Sequence, residues 1–322
     1  MANIDVFGDV GFSTVTREKS HPSFFLGDLD LFSTMNVDNR LIFLSEIQIE
    51  GEESRFFPEV ERFWIGYTFN DLITLRAGRH HTALGYWNNA YHHGKWLFVT
   101  VDRPFFLGFE DKNGVIPVHL IGIEMEGKKA NDFGRFSYRF QIANGPRIDP
   151  IEKKLDPNNI ADDNDSKEAA LRFSVTPVTV PDFIFGISGT TYTLDTSQKA
   201  GLKESIFGFD LSYTKLPWEF LAEYFRFYNS DAAADAFYIQ LSYALTLPYP
   251  ITPYARYERL GVNDSDPYFL DLAGGSERNQ KIMGLKYEVD PFDSSIKLQY
   301  RNDDKKGAQT YHIVEIQWAV HF

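Results

Sequence analysis

From end to end the chain alternates apolar and polar positions with a period of two, the repeat of an extended strand whose faces meet different environments. Phe63, Ile65, Tyr67 and Phe69 alternate with Arg62, Trp64, Gly66 and Thr68. Ile121, Ile123 and Met125 alternate with Gly122, Glu124 and Glu126, and Phe237, Ile239, Leu241 and Tyr243 with Tyr238, Gln240, Ser242 and Ala244. Helical periodicity is scarce. The pattern predicts sixteen strands, at about 4–14, 24–35, 40–51, 60–70, 72–79, 118–127, 135–144, 169–177, 183–193, 205–214, 218–228, 236–246, 252–260, 281–289, 295–302 and 311–322.

Short and long connections take turns along the chain. NVDN at 36–39, ND at 70–71, KLP at 215–217, LPYP at 247–250 and DPFD at 290–293 are tight. GEESRFFPE, the acidic segment 146–167, LDTSQKAGLKE, NSDAAAD and the stretch from Gly261 to Gln280 are longer and polar. A β-sandwich would bury one face of two sheets but gives no reason for this asymmetry. An antiparallel meander closed into a transmembrane barrel does, because its two ends meet different compartments. The predicted fold is therefore all-β: one up-and-down barrel domain over 1–322, apolar side chains outward and polar ones lining the interior. Closure satisfies every backbone group within lipid.

Composition narrows the function. The 322 residues carry a formal charge of −13, which argues against a nucleic-acid partner. There is no cysteine, so disulfides, thiolate zinc sites and thioether-linked haem are excluded. No cofactor or metal is expected. Aromatic residues make up 16% of the chain, and its apolar runs fall short of a spanning helix. Met1-Ala2-Asn3 leads straight into strand-like sequence, which reads as a mature chain whose export signal has been removed.

The C-terminal VEIQWAVHF places Val314, Ile316, Trp318, Val320 and Phe322 on one strand face. With its terminal aromatic, this resembles bacterial outer-membrane porins of the sixteen-stranded type, without pointing to a subfamily. The resemblance implies that Trp318, Val320 and Phe322 belong to an assembly signal and that the last strand closes on the first. It implies a bacterial outer-membrane location, lipid as surroundings, and small hydrophilic solutes or ions as cargo, with a homotrimer as the expected assembly. It also implies that the third external loop, 79–117, folds into the lumen and narrows it. That loop is long for a surface connection, and its Trp87, Trp96, Phe98, Phe105 and Phe106 need a wall to pack on.

With apolar residues outward, Arg62, Arg76, Arg135, Arg139 and Arg172 point inward, beside Asp5, Asp9, Asp28, Asp30, Glu46 and Glu50 of the first three strands. This suggests a lumen divided into a basic and an acidic wall. In general porins, wall arginines face carboxylates of the constricting loop. Asp102, Glu110 and Asp111 match that part here, alongside Arg103. The bland alternative is that these charges only keep the lumen wet. His80-His81 and His92-His93, flanked by Arg79 and Lys95, are a second candidate cluster. Imidazole suits transition metals, but neighbouring residues of an extended chain point apart, so a structural role for the pairs is the simpler reading. If they line the pore, their protonation near pH 6 would favour anions. His312 has no evident serine partner, so catalysis is not expected. A sheath for another protein or a loop-displaying adhesin, with the acidic loop 146–167 (Asp162, Asp163, Asp165) as its contact, is the rival class.

Overall fold

The computed structural model describes residues 2–16, 21–52, 55–91, 94–108, 114–156, 159–160, 162, 165–245, 249–289 and 293–322. The chain forms β1 (Ala2–Val15), β2 (Ser23–Asn36), β3 (Leu41–Glu52), β4 (Arg55–Asn70), β5 (Ile73–His81), β6 (His119–Ala130) and β7 (Gly134–Asn144). A small hairpin, β8 (Arg147–Asp149) and β9 (Lys154–Asp156), follows. Then come β10 (Lys167–Pro177), β11 (Phe183–Leu194), β12 (Leu202–Lys215), β13 (Trp218–Tyr228), β14 (Ala233–Tyr243), β15 (Ile251–Gly261), β16 (Arg278–Val289), β17 (Ser294–Lys305) and β18 (Tyr311–His321). Short helices α1 (Trp87–Ala90) and α2 (Pro267–Leu270) sit in connections. All strands but β8 and β9 join, each antiparallel to its neighbours, into one closed barrel in which β1 pairs with β18.

All sixteen predicted strands are present. Two details differ. The β8–β9 hairpin interrupts the long acidic connection. And GEESRFFPE is mostly strand: β3 runs to Glu52 and β4 starts at Arg55. A bulge explains the second miss. Glu46 pairs with Arg62 but Ile47 with Val60, so Glu61 is an extra residue and the alternation changes phase there.

The alternation sorts residues between the two faces of the wall. Phe63, Ile123 and Ile239 are 53%, 59% and 47% exposed, whereas Trp64, Glu124 and Gln240 are at most 8%. Apolar residues on the accessible outside and polar ones within is the inverse of a water-soluble barrel and suits hydrocarbon surroundings. Among the described residues no helix is long and apolar enough to cross a membrane; the strands do so instead. One part of the interior departs from the polar expectation. Ile206, Leu221, Phe225, Phe227, Ala236, Tyr238 and Leu260, on the inner faces of β12–β15, are buried in an apolar cluster with Trp87, Phe98, Phe106, Tyr268 and Phe269 of two connections. On β13, Leu221, Phe225 and Phe227 face inward and Phe220, Tyr224 and Tyr228 outward, so much of the strand is apolar on both sides, as a strand covered on both faces should be.

At one end the strands are joined by short turns, such as 37–40 and 71–72; at the other by longer connections, including 82–118, 145–166 and 262–277. In the first turn the Asp38 carboxylate accepts the backbone N–H groups of Arg40 and Leu41, both at 2.7 Å. At the seam, Val6 and Phe322 exchange backbone hydrogen bonds of 3.0 and 2.8 Å. Phe69, Trp218, Trp318 and Phe322 stand exposed near the turn end, where Trp218 meets Tyr243 edge-on at 4.5 Å. Such an aromatic girdle suits a membrane interface.

Candidate pore site

Segment 82–118 leaves the wall where β5 and β6 end. Gly78, with φ +141°, sits just before the departure; a Cβ there would lie 2.0 Å from the Phe63 carbonyl oxygen. The segment is then held by inward-facing side chains of many strands. The Glu223 carboxylate accepts the N–H groups of Tyr86 and Trp87, each at 2.8 Å, and the Tyr238 hydroxyl at 2.8 Å. Gly85 makes this approach feasible: its φ is +67°, and a Cβ would collide with the same carboxylate. Gln141 accepts from Ala83 at 2.8 Å, Glu258 from Phe105 at 2.6 Å and Gln299 from Val101 at 3.0 Å. Arg256 donates to the Asp102 and Arg103 carbonyls, and Lys297 to that of Thr100.

Next to the β17 contacts, where Lys297 also donates to the Lys95 carbonyl, the Lys95 side chain reaches β1 and β2. Its ammonium lies 2.9 Å from both Asp9 and Asp28. Burial works against this charge, but Asp28, Asp9 and Asp102 more than offset it and hold the amine above the usual lysine range. Gln317 donates to Asp9 at 2.9 Å, fixing the acceptor. Two cavities flank the short stretch 94–98. One, of about 270 Å³, is lined by Asp5, Phe7, Glu46, Arg62, Trp96 and His321 among others. The other, of about 220 Å³, is lined by Lys95, Asp102, Arg103, Arg278 and Arg301 among others. In the wall of the first, Trp96 stacks on His321, ring centroids 4.6 Å apart.

Four of the five inward arginines singled out in the sequence, Arg62, Arg76, Arg139 and Arg172, are paired with carboxylates of nearby strands. Arg62 meets Glu46 at 2.5 Å, directly opposite it in the ladder. Arg76 bonds Glu124 at 2.7 Å and also Glu126. Arg139 lies 3.4 Å from Glu126 and also contacts Asn89 of the loop. Arg172 reaches Asp210 across β11, where Gly186 leaves room for that carboxylate. These strands therefore carry no separate basic wall: cation and anion alternate along them. Arg135 keeps the inward register but is exposed near the turn end.

Among the candidates on segment 79–117, Asp102 does meet a wall arginine, Arg301, at 3.1 Å. Arg103 is buried beside the 220 Å³ cavity. His80 and His81 point to opposite faces, as adjacent strand residues must. His80 stacks over Trp64 at 6.2 Å, while His81 lies 5.4 Å from the His119 ring. Arg79 shares the His81 register; it donates to the Glu61 carbonyl at 2.9 Å, and His119 contacts the Glu61 carboxylate at 3.1 Å. His92, His93, Glu110 and Asp111 lie outside the described residues, as does Asp163. Among the described residues no three His, Asp or Glu side chains are grouped to hold a metal ion.

Sequence reasoning passed over Arg256, Lys286, Lys297, Arg278 and Arg301 on β15–β17. Their signal was present: Lys297, Gln299 and Arg301 alternate with Ile296, Leu298 and Tyr300 just as Arg62 does with Phe63. What the sequence could not give was that the loop lands on this side of the barrel.

No known family profile and no curated relative matches the sequence. The fold has clear structural counterparts. The chain superimposes over its full length on OmpF of Salmonella typhi (TM-score 0.67, 10% identity, 97% of that chain covered). It does so equally on an anion-selective porin of Comamonas acidovorans (TM-score 0.65, 10% identity, 99% covered) and on the outer membrane channel DcaP of Acinetobacter baumannii (TM-score 0.63, 11% identity, 97% covered). At such identities the likeness is one of fold, and this chain has the fold of the sixteen-stranded outer-membrane porins.

Proposed function

We propose that this chain is an outer-membrane porin through which small hydrophilic solutes or ions diffuse passively, with no chemistry performed on them. The connection end faces outside and the turn end the periplasm. Segment 82–118 lies within the lumen and sets its width, and the charges around it set selectivity. The observation that carries this reading is the attachment of that segment to a wide arc of the wall, from Glu223 on β13 through Glu258 on β15 and Gln299 on β17 to Asp9 and Asp28 on β1 and β2. The apolar packing against β12–β15 leaves the solute path to the other side, past Lys95, Trp96 and Arg62. Two structural counterparts, an anion-selective porin and an outer membrane channel, lend support. A homotrimer is part of the proposal; a trimer form is described for OmpT of Vibrio cholerae, which shares the fold.

The test is refolded protein in a planar bilayer. Step-like conductance with a defined reversal potential is expected, and loosening the segment with Lys95→Ala should enlarge the steps. A folded, membrane-inserted sample that stays electrically silent in both forms overturns the reading.

A further inference from the structure

The cavity of about 220 Å³ beside stretch 94–98 lies against the inner faces of β16 and β17 and reaches the connection end, where Arg278 opens β16. Four cations line it, Lys95, Arg103, Arg278 and Arg301, against one carboxylate, Asp102. The other carboxylates that neutralise them are Asp9 and Asp28 for Lys95, Asp303 for Arg278 and Glu315 for Arg301. Among the described residues none of these four is part of the lining. The cavity thus offers donors, while most of the compensating acceptors stand outside it.

Several of those donors are uncommitted. Arg278 gives Nε and Nη2 to Asp303, at 2.7 and 2.5 Å, which leaves Nη1. Arg301 gives Nη1 to Asp102 and Nη2 to Glu315, at 3.1 and 2.9 Å; its Nε is buried without a hydrogen-bond partner among the described residues. Gln280, on the same inner face of β16 as Arg278, is 1% exposed. Its amide leans towards Asp303, yet its Nε2 completes no hydrogen bond of ordinary length among the described residues. A buried N–H without an acceptor is costly, and two in one cationic cavity call for an anion. Asp102 in the same lining disfavours a doubly charged one. Phe98 and Phe105 complete the wall, with the Arg278 guanidinium 4.8 Å over the Phe105 ring, so apolar surface lies directly beside the donors.

We propose that this cavity is a binding subsite for a small monocarboxylate with an apolar body. The carboxylate accepts from Arg278 Nη1, Arg301 Nε and Gln280 Nε2, and the carbon body lies against Phe98 and Phe105. The subsite rests on the porin reading, to which it adds one class of solute that pauses in the lumen before passing Lys95.

The experiment is isothermal titration calorimetry of the folded protein in uncharged detergent micelles. The probes are benzoate, benzamide, which has the same shape without the charge, and inorganic phosphate. One benzoate per chain is expected, held about tenfold tighter than either of the others. Gln280→Glu, which sets a carboxylate where that of the ligand would sit, and Arg278→Met should each weaken benzoate by roughly tenfold. Folding of each variant is checked by its resistance to unfolding in cold SDS. Benzoate held no tighter than benzamide, or held by the folded variants as by the native chain, refutes the subsite. Phosphate held as tightly as benzoate refutes the assignment to carboxylates. Conductance of the same samples separates the two proposals: benzoate binding by an inserted but silent protein would sink the channel alone, and conduction without benzoate binding the subsite alone.

Discussion

Lys95 is the residue on which the interior arrangement turns. It is a buried cation between two buried carboxylates, on a segment otherwise held by backbone hydrogen bonds. Removing one partner of such a group leaves the others uncompensated, at a cost of about 3–5 kcal/mol. Lys95→Ala should therefore lower the unfolding midpoint as well as widen the pore, whereas Asp9→Asn, which keeps a polar partner, should do less of both. Single-channel recordings beside thermal melts of the same samples check this. Glu223 is the counterpart on the far wall. Glu223→Ala strips the Tyr86 and Trp87 amides of their acceptor, and faster hydrogen exchange at those two amides is the expected readout. The histidine pairs teach a lesson about period two. As the alternation predicted for adjacent strand residues, the extended backbone sends His80 to Trp64 and His81 towards His119. No single-sequence signal places His119 beside Glu61 and Arg79, because the bulge that brings Glu61 there is a register shift between strands.

At the scale of elements, the strands were legible because hydrocarbon outside enforces alternation everywhere it touches. A charge in that register should be costly: Ile123→Arg is expected to destabilise by about 2–4 kcal/mol if it sits near mid-membrane, while exposed Lys306→Ala on a connection should be neutral. Urea titration in lipid vesicles measures both. Connections were less legible, since they answer to partners distant in sequence. Segment 262–277 shows this. Asp266 caps α2 by accepting the Tyr268 N–H at 3.1 Å and takes the Asn229 amide at 2.9 Å. Burial, its largest influence, pushes the Asp266 carboxyl above its usual range. A raised carboxyl in the folded state binds its proton more tightly than in the unfolded one. Its contribution is thus present at low pH and lost as pH rises through the folded-state value. Amides 266–272 should accordingly be better protected at pH 5 than at pH 8, and Asp266→Asn should flatten that difference.

For the molecule as a whole, architecture was readable and interior asymmetry was not. One pattern predicted the strand number and the two kinds of ends. It said nothing of which inner faces would be apolar, because Leu221 or Phe225 inward looks no different from Phe220 or Tyr224 outward until the register is known. The assembly state belongs to this scale too. Under the proposed homotrimer, the exposed apolar side chains Val10, Leu26, Ile49 and Val60 on β1–β4 are the expected packing surface, so a charge at Ile49 should shift a species of three times the 37.0 kDa chain mass towards single chains, as read by light scattering in detergent.

The seam carries a consequence for how the cylinder comes into being. Val6 finds its partner in Phe322, so the first strand of the barrel in chain order is completed by the last. Until then both margins of the sheet hold open rows of amide and carbonyl groups, invitations to wrong pairing in water and untenable in oil. Growing the wall strand by strand cannot relieve this; only the join can. Removing the final turn of residues would cost far more than the contacts they make, for it would leave a ring with a gap.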